Sequence, residues 1–290
     1  MNLDEYQKTG KKHFEIAKAP TKIKDLYSDK ADYEAQLASL HKEMDDLQSM
    51  MYAHNRYGMV LVFQAMDAAG KDSTIKAVFA GINPCGINVH SFKRPSETEI
   101  DHDFLWRTTA KLPERGTMAV FNRSYYEEVL VVKVHPNILT DVQKLPKELS
   151  SNPKKVWEQR YESIVDFEKH LTRNGTRVLK FFLHVSKEEQ ANRLIERIED
   201  PTKNWKFEAQ DVNERAIWDT YQAAYQDVVN ETATENAPWY VIPADDKKNM
   251  RLIIAKIIIN ALKDLDMEYP QPNPAKQAEL KKLIEVIKAQ

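Results

Sequence analysis

Met59-Val-Leu-Val-Phe-Gln-Ala-Met-Asp-Ala-Ala-Gly-Lys-Asp-Ser-Thr74 joins an unbroken apolar run to a small-residue turn, then Gly70-Lys71, then residues that can start a helix. This is the layout of a phosphate-binding loop. The strand carries the turn to a sheet edge. The turn directs backbone N–H groups inward, and the helix start adds the positive end of its dipole. Ala68, Ala69, Gly70, Lys71, Asp72 and Ser73 are the expected phosphate contacts, with Lys71 supplying a mobile full charge. Such a site holds a run of phosphates and points to phosphoryl transfer. The plain alternative is an ordinary strand–turn–helix with a chance Gly-Lys.

The stretch departs from G-x-x-x-x-G-K-[ST] at two places. Ala65 stands for the first glycine, and Asp72 follows Lys71 where a hydroxyl usually holds Mg²⁺. Ser73 and Thr74 lie next door. Asp67, inside the loop, is the expected carboxylate ligand in their stead.

Composition bounds the rest. The chain has 290 residues, 42% of them hydrophobic and 30% charged, enough for a sizeable core under a polar surface. A net charge of −2 argues against a general nucleic-acid binder. Cys85 is the single cysteine, so no internal disulfide forms and a reducing cytoplasm is the expected compartment. Met1-Asn-Leu-Asp-Glu5 lacks the apolar core of a signal peptide, and Leu252–Leu262, broken by Lys256, is too short to span a bilayer. No membrane and no nucleic acid are expected as partners.

Seven glycines predict long helices. Tyr33, Leu37, Leu40, Met44, Leu47 and Met51 recur in steps of three and four, which is one apolar stripe on a helix that docks on the main body. Strands are expected at Met59–Gln64, Ile87–Phe92, Thr117–Phe121, Val178–Val185 and Trp239–Ile242, with helical stretches between them. That alternation predicts a parallel sheet with helices on both faces and a ligand at the carboxyl ends of its strands. Ser186-Lys-Glu-Glu189 is a capping box starting a helix that stops near Pro201. A second start is read at Asp211–Glu214, continuing through Ile217, Trp218, Tyr221, Ala224, Tyr225 and Val228. After the Pro-rich crossing Tyr269–Pro274, Leu280, Leu283, Ile284 and Ile287 mark a tail helix expected to pack on its own chain or on a sister subunit.

Three further constellations carry candidate chemistry. Met118-Ala-Val-Phe-Asn-Arg-Ser-Tyr-Tyr-Glu-Glu128 ends a strand on Asn122, where phosphate-loop enzymes hold the metal or its water shell. Arg123 follows, with a planar fork suited to phosphate, and Glu127 lies a turn beyond. Lys93 and Arg94 sit after the second strand as a second anion site. Asp103 and Arg107 are either acceptor contacts or a helix-surface ion pair. Arg193 and Arg197 share a helix face, and with Lys203 and Lys206 they form a cationic flap over the loop.

Taken together, Gln64-Ala-Met-Asp-Ala-Ala-Gly-Lys-Asp72, Ser91-Phe-Lys-Arg-Pro-Ser96, His102-Asp-Phe-Leu-Trp-Arg107, Phe121-Asn-Arg-Ser-Tyr-Tyr-Glu127, Asp200-Pro-Thr-Lys-Asn-Trp-Lys206 and Ala237-Pro-Trp-Tyr-Val-Ile-Pro-Ala244 resemble the polyphosphate kinase type 2 family, over roughly Ala31 to Leu262. That family's loop commonly carries the inner Asp and lacks the hydroxyl after Lys. The resemblance implies a three-layer α/β/α P-loop kinase fold with a five-stranded parallel sheet, similar to thymidylate kinase, with a helical lid and helical extensions at both ends. The implied division is an extension over 1–55, a kinase-like domain over 56–265 with its lid at about 187–232, and a linker and helix over 266–290.

The implied reaction is reversible transfer of a phosphoryl group from inorganic polyphosphate to AMP or ADP, and to GMP or GDP. Asn122 stands where many members carry Asp, which resembles the subgroup acting on both mono- and diphosphates. Asp67, Lys71, Asn122, Arg123 and Glu127 are the expected catalytic residues, with Mg²⁺, or Mn²⁺ in its place, on Asp67 and Asn122. Polyphosphate has no base to recognise and needs cations, here Lys71, Arg123, Arg193, Arg197, Lys203 and Lys206. Lys93, Arg94, Asp103, Arg107 and Glu127 are the expected nucleotide contacts. A homo-oligomer, dimer or tetramer, is expected. The competing readings are an ATP-dependent nucleoside monophosphate kinase and a non-catalytic nucleotide-binding P-loop protein.

Overall fold

The computed structural model describes residues 2–290, the side chain of Lys206 excepted. Its strands are β1 (Gln7–Lys8), β2 (Gly58–Ala65), β3 (Ile87–Ser91), β4 (Met118–Asn122), β5 (Thr176–His184) and β6 (Trp239–Pro243). They form one sheet in the order β1-β6-β5-β2-β4-β3. The five strands expected from the sequence are all present and parallel to one another. The sheet itself has six strands, because Gln7 and Lys8 pair antiparallel with Tyr240 and Trp239 on β6. A two-residue strand carries no readable period, so this correction is invisible to pattern analysis.

β2 lies at the centre and is buried along its whole length. Such a strand reads as a continuous apolar run rather than an alternation, because helices cover both of its faces. The major helices are α1 (Lys30–His54), α2 (Lys71–Val78), α3 (Pro153–Arg173), α4 (Lys187–Glu199), α5 (Gln210–Ala216), α6 (Trp218–Thr232), α7 (Lys247–Lys263) and α8 (Pro274–Ala289). α7 packs against α1 and α2, while α3 packs against β5 and α6.

Asp29 caps α1 by accepting from Asp32 N, and Asn55 ends it in the left-handed region at φ 52°. The stripe read on α1 docks as expected. Tyr33, Leu40, Met44 and Met51 are buried in the main core, and Leu37 and Leu47 pack against it. Among the described residues, 2–29 are not helical apart from a short 3-10 turn at Ile16–Lys18, so the expected N-terminal helical extension is confined to α1.

Two other expectations change. The helix read from Asp211 is interrupted at Ile217, whose φ of −102° and ψ of 30° separate α5 from α6. α5 buries no residue, whereas α6 buries Trp218, Tyr221, Ala224, Tyr225, Val228, Val229 and Thr232. The last third of the stretch expected as a lid is therefore packed into the core. The tail helix α8 forms over the expected residues but buries none of them, and Leu283, Ile284 and Ile287 remain exposed. It does not pack on its own chain.

Leu61, fully buried between Val120 on β4 and Leu179 on β5, tests the weight of the central strand. Leu61→Ala lowers the unfolding free energy by about 3 kcal/mol, within the usual span for buried Leu→Ala of about 2–5 kcal/mol. Urea denaturation shows it as a lower midpoint at an unchanged slope.

Candidate active site

The loop between β2 and α2 is shaped by two residues at positive φ, Ala68 at 59° and Gly70 at 100°. Left-handed residues in such a turn bend successive N–H groups toward one point, which is how backbone makes an anion nest. Gly70 is the N-cap of α2, and an L side chain at its φ would be strained. Lys71 opens α2 and curls back to donate to the carbonyls of Ala65 at 2.7 Å and Met66 at 3.4 Å. Burial, and then the positive charge of Arg123, pull the Lys71 amine down to about 8 against the opposing pull of Asp67, Glu127 and Asp72.

The end of β4 faces this loop. Asn122 donates to Asp72 Oδ1 at 2.8 Å and lies 3.4 Å from Ser91 Oγ. Arg123 adopts φ 62°, and its backbone N–H donates to Phe63 O at 3.0 Å. A branched fork on a left-handed residue is strained geometry, and it persists because both ends of the side chain are held. One guanidinium nitrogen donates to Asp67 Oδ1 at 3.0 Å and another to Glu127 Oε2 at 3.3 Å. Glu127, then Asp67, hold the guanidinium pKa above its ordinary value. Gln64, the last polar residue of β2, donates to Glu127 Oε1 at 3.1 Å. Asp67, Lys71, Asp72, Asn122, Arg123 and Glu127 thus meet in one cleft at the carboxyl ends of β2 and β4.

α4 is tied to the outside of the loop. Gln190 donates to Asp67 O at 3.0 Å. Arg193 donates to Ala69 O at 2.8 Å, to Ala244 O at 2.7 Å and to Asp245 O at 2.9 Å, and its Nε meets Glu189 at 2.7 Å. Arg193 is buried, so in this structure it holds the loop backbone and does not present a free cation. Arg197 pairs with Asp211 Oδ2 at 3.2 Å. The Asp211 carboxyl is raised by burial and by the charge of Asp67, which brings the start of α5 near the cleft. Lys203 pairs with Asp200 in the exposed turn after α4. The expected contact through Lys206 lies outside the described side chains. From α6, Tyr225 and Tyr221 are raised by burial, with Glu127 and Asp67 contributing to both.

The remaining expected nucleotide contacts follow β3. Lys93 and Arg94 are exposed. Arg107 is buried, donates to Lys93 O at 2.8 Å and lies over the Phe92 ring at 5.4 Å. Asp103 accepts from Leu105 N at 2.9 Å, a local turn bond just ahead of the short helix Trp106–Thr109. Sequence reading missed Gln64 and Gln190 as site-builders. The signal available for Gln64 was a polar residue closing a strand that is otherwise apolar.

Among the described residues, no group of three His, Cys, Asp or Glu side chains forms a ready metal cage. The donors at hand, the Asp67 carboxylate and the Asn122 amide, are hard oxygen ligands. They fit Mg²⁺, which takes one or two protein oxygens and completes its shell with phosphate and water.

The comparisons with known proteins follow this geometry. A family model described as polyphosphate kinase 2 (PPK2) matches residues 27–270. The ADP-polyphosphate phosphotransferase of Rhodopseudomonas palustris is 51% identical over 266 residues, covering 92% of this chain and 91% of that protein. The AMP/ADP-polyphosphate phosphotransferase of Meiothermus ruber is 44% identical over 241 residues, covering 83% and 85%. The crystal structure of polyphosphate kinase 2 from Arthrobacter aurescens TC1 superposes with a TM-score of 0.86 at 35% identity, covering 98% of this chain and 97% of that one.

The depressed Lys71 amine is measurable. Below about pH 8 the folded protein keeps a buried charge that the unfolded chain, titrating at 10.5, solvates better. Between these values the unfolded chain binds the extra proton, so this residue's contribution to stability rises with pH. Lys71→Met removes the term. Its stability relative to the unmodified protein falls by about 3 kcal/mol from pH 7.5 to pH 10.5, at about 1.4 kcal/mol per pKa unit. Paired urea titrations across that range check it.

Proposed function

The chain belongs to the polyphosphate kinase 2 family and is a polyphosphate:nucleotide phosphotransferase; we propose that it seats inorganic polyphosphate on the loop at Ala65–Lys71 and passes the terminal phosphoryl group reversibly to AMP and ADP, and to GMP and GDP. The observation that carries this reading is the convergence of Lys71 and Arg123 on one loop. The name of the Meiothermus ruber relative, with both AMP and ADP, supports the two acceptors.

Phosphoryl transfer asks for alignment and charge stabilisation more than for a base. An acceptor phosphate is already anionic, so no side chain has to deprotonate it. Lys71, with three N–H donors, keeps its bonds to the loop carbonyls and turns its remaining N–H to phosphate oxygens. Arg123, with its fork prepaid by Asp67 and Glu127, grips the transferring group bidentately. Glu127, steadied by Gln64, keeps that fork aimed. Mg²⁺, or Mn²⁺ in its place, would be held by Asp67 and Asn122 and would supply charge neutralisation to the phosphates. Arg197, Lys203 and Lys206 extend the cation track. Lys93, Arg94, Asp103 and Arg107 flank the acceptor.

The organisation proposed is the α1 extension, the kinase-like body and the α8 tail, with the moving lid limited to the part of 187–232 that precedes α6. The burial of Trp218, Tyr221, Ala224, Tyr225, Val228, Val229 and Thr232 on α6 supports leaving it outside the moving element. The chain is proposed to assemble as a homo-oligomer, dimer or tetramer, in the cytoplasm. The exposed apolar residues of α8 support assembly, and the lone exposed thiol of Cys85 suits a reducing compartment. No helix among the described residues is long and apolar enough to cross a membrane.

Assays with AMP, ADP, GMP and GDP, each with polyphosphate and Mg²⁺ as sole donor system, test the reading. Product from each acceptor is expected, and transfer only from ATP would overturn it in favour of a conventional monophosphate kinase. Lys71→Ala and Asp67→Ala lower kcat by about 10²–10³-fold or more with the fold intact by circular dichroism. Arg123→Lys is comparably impaired, because an ammonium cannot reproduce the fork; near-normal turnover would refute bidentate contact.

A further inference from the structure

Behind the Arg123–Glu127 segment lies a polar cluster sealed from solvent. Lys180 on β5 and Glu168 on α3 form an ion pair at 2.6 Å with side chains 0% and 1% exposed. Glu168 Oε1 accepts from the hydroxyls of Tyr125 at 2.8 Å and Tyr126 at 2.7 Å. Lys180 also donates to Thr232 O at 2.8 Å and to the Tyr126 hydroxyl at 3.1 Å. Thr232 Oγ1 takes a bond from Trp239 Nε1 at 2.9 Å and donates to Val228 O at 2.6 Å. The Lys180 ammonium lies over the Tyr126 and Trp239 rings at 5.6 and 5.4 Å.

We propose that Glu168 and Lys180, acting through Tyr125 and Tyr126, are positioning residues that set the register of Arg123 and Glu127 for phosphoryl transfer; the proposal rests on the function inferred above. Three lines of argument lead there. First, a fully buried ion pair is a poor way to stabilise a core, since apolar residues of the same volume do as well or better, whereas its directional bonds can fix one geometry. Second, the cluster is a junction. It joins α3, β5, α6 and β6 to a single short turn, the 3-10 helix Tyr125–Val129, and it grips that turn by Tyr125 and Tyr126, two of the three residues lying between Arg123 and Glu127. Third, the turn needs gripping. It opens on Arg123 at φ 62°, and a strained residue keeps its conformation only when its surroundings over-determine it. The two tyrosines are buried and their hydroxyls stay protonated, held up by burial and then by Glu168, so both remain donors across the working pH range.

The consequence is a division of labour. The loop side of the cleft fixes where the phosphates lie, and the buried cluster fixes where the fork meets them. A displacement of about 1 Å in such a group can cost about 10²-fold in rate. Loosening the cluster therefore lowers kcat and leaves the KM for polyphosphate, set by the loop, little changed.

The test uses two double variants and two readouts. Tyr125→Phe/Tyr126→Phe removes both hydroxyls but keeps the rings. Glu168→Gln/Lys180→Met removes both charges without orphaning either, keeps an acceptor for the tyrosines and guards against unfolding from a lone buried ion. For the tyrosine pair, kcat is expected to fall at least 10-fold while KM for polyphosphate stays within 2-fold; Glu168→Gln/Lys180→Met is expected to recover part of that loss because the tyrosine bonds survive. The second readout needs no turnover: the Arg123 side-chain Nε resonance, assigned by its loss in Arg123→Lys, broadens or shifts in the tyrosine variant without ligand. Folded variants with unchanged kcat and an unchanged Arg123 resonance overturn the proposal. If the unmodified enzyme transfers nothing from polyphosphate, the functional reading fails, and the Arg123 resonance alone still decides this one.

Discussion

A loop that turns its N–H groups inward to meet an anion must turn its carbonyls outward into protein, where water does not reach them. Each of those oxygens needs a donor, or the loop loses more than a bound phosphate returns. Most of the site can be derived from this requirement. Ala65 O and Met66 O take the Lys71 amine. Asp67 O takes Gln190, Ala69 O takes Arg193, and Gly70 O takes Thr74 N and Ser73 Oγ. The carbonyl side of the loop is thus satisfied by donors from α2 and from α4.

The second organising feature is charge held in reserve. Lys71 and Arg123 stand together, and two like charges in a half-buried cleft repel. Asp67 and Glu127 offset them, and the Lys71 amine yields part of its affinity for a proton. In the function proposed above, a polyanion relieves these tensions, since it would satisfy both cations. On that proposal, recognition of a ligand without a base or a ring rests on this relief. The sequence feature responsible is compact: Asp67 and Lys71 in one turn, and Arg123 and Glu127 in another, with adjacent parallel strands delivering both to one place.

Five strands, the loop and the stripe on α1 were legible because each rests on a local signal, an apolar run or a period of three and four. Two-residue β1 was not, for it has no period. The break at Ile217 was not, because Ile217, Trp218 and Tyr221 continue a helical spacing straight through it. Arg193 and Arg197 illustrate the limit best. Their spacing put them correctly on one face, but spacing cannot say whether that face meets solvent or carbonyls, and Arg193 meets carbonyls. Gln190 carries no charge and so gave no signal, and Gln64 gave only that of a polar residue near the end of an apolar strand. The Glu168–Lys180 pair is separated from Tyr125 by more than forty residues, and its meaning exists only in three dimensions.

The bonds from Gln190 and Arg193 to the loop have a mechanical meaning. They fasten the first half of α4 to the rigid centre of the molecule, while Ile195 and Ile198, farther along, stand half in solvent. α4 is thus a strut fixed at two levels: Gln190 and Arg193 clamp it to the loop carbonyls, and Arg197 ties its far end to Asp211 at 3.2 Å. Displacing that far end would first have to break the Arg197–Asp211 pair, and Arg193 would pass the remaining load to the loop carbonyls.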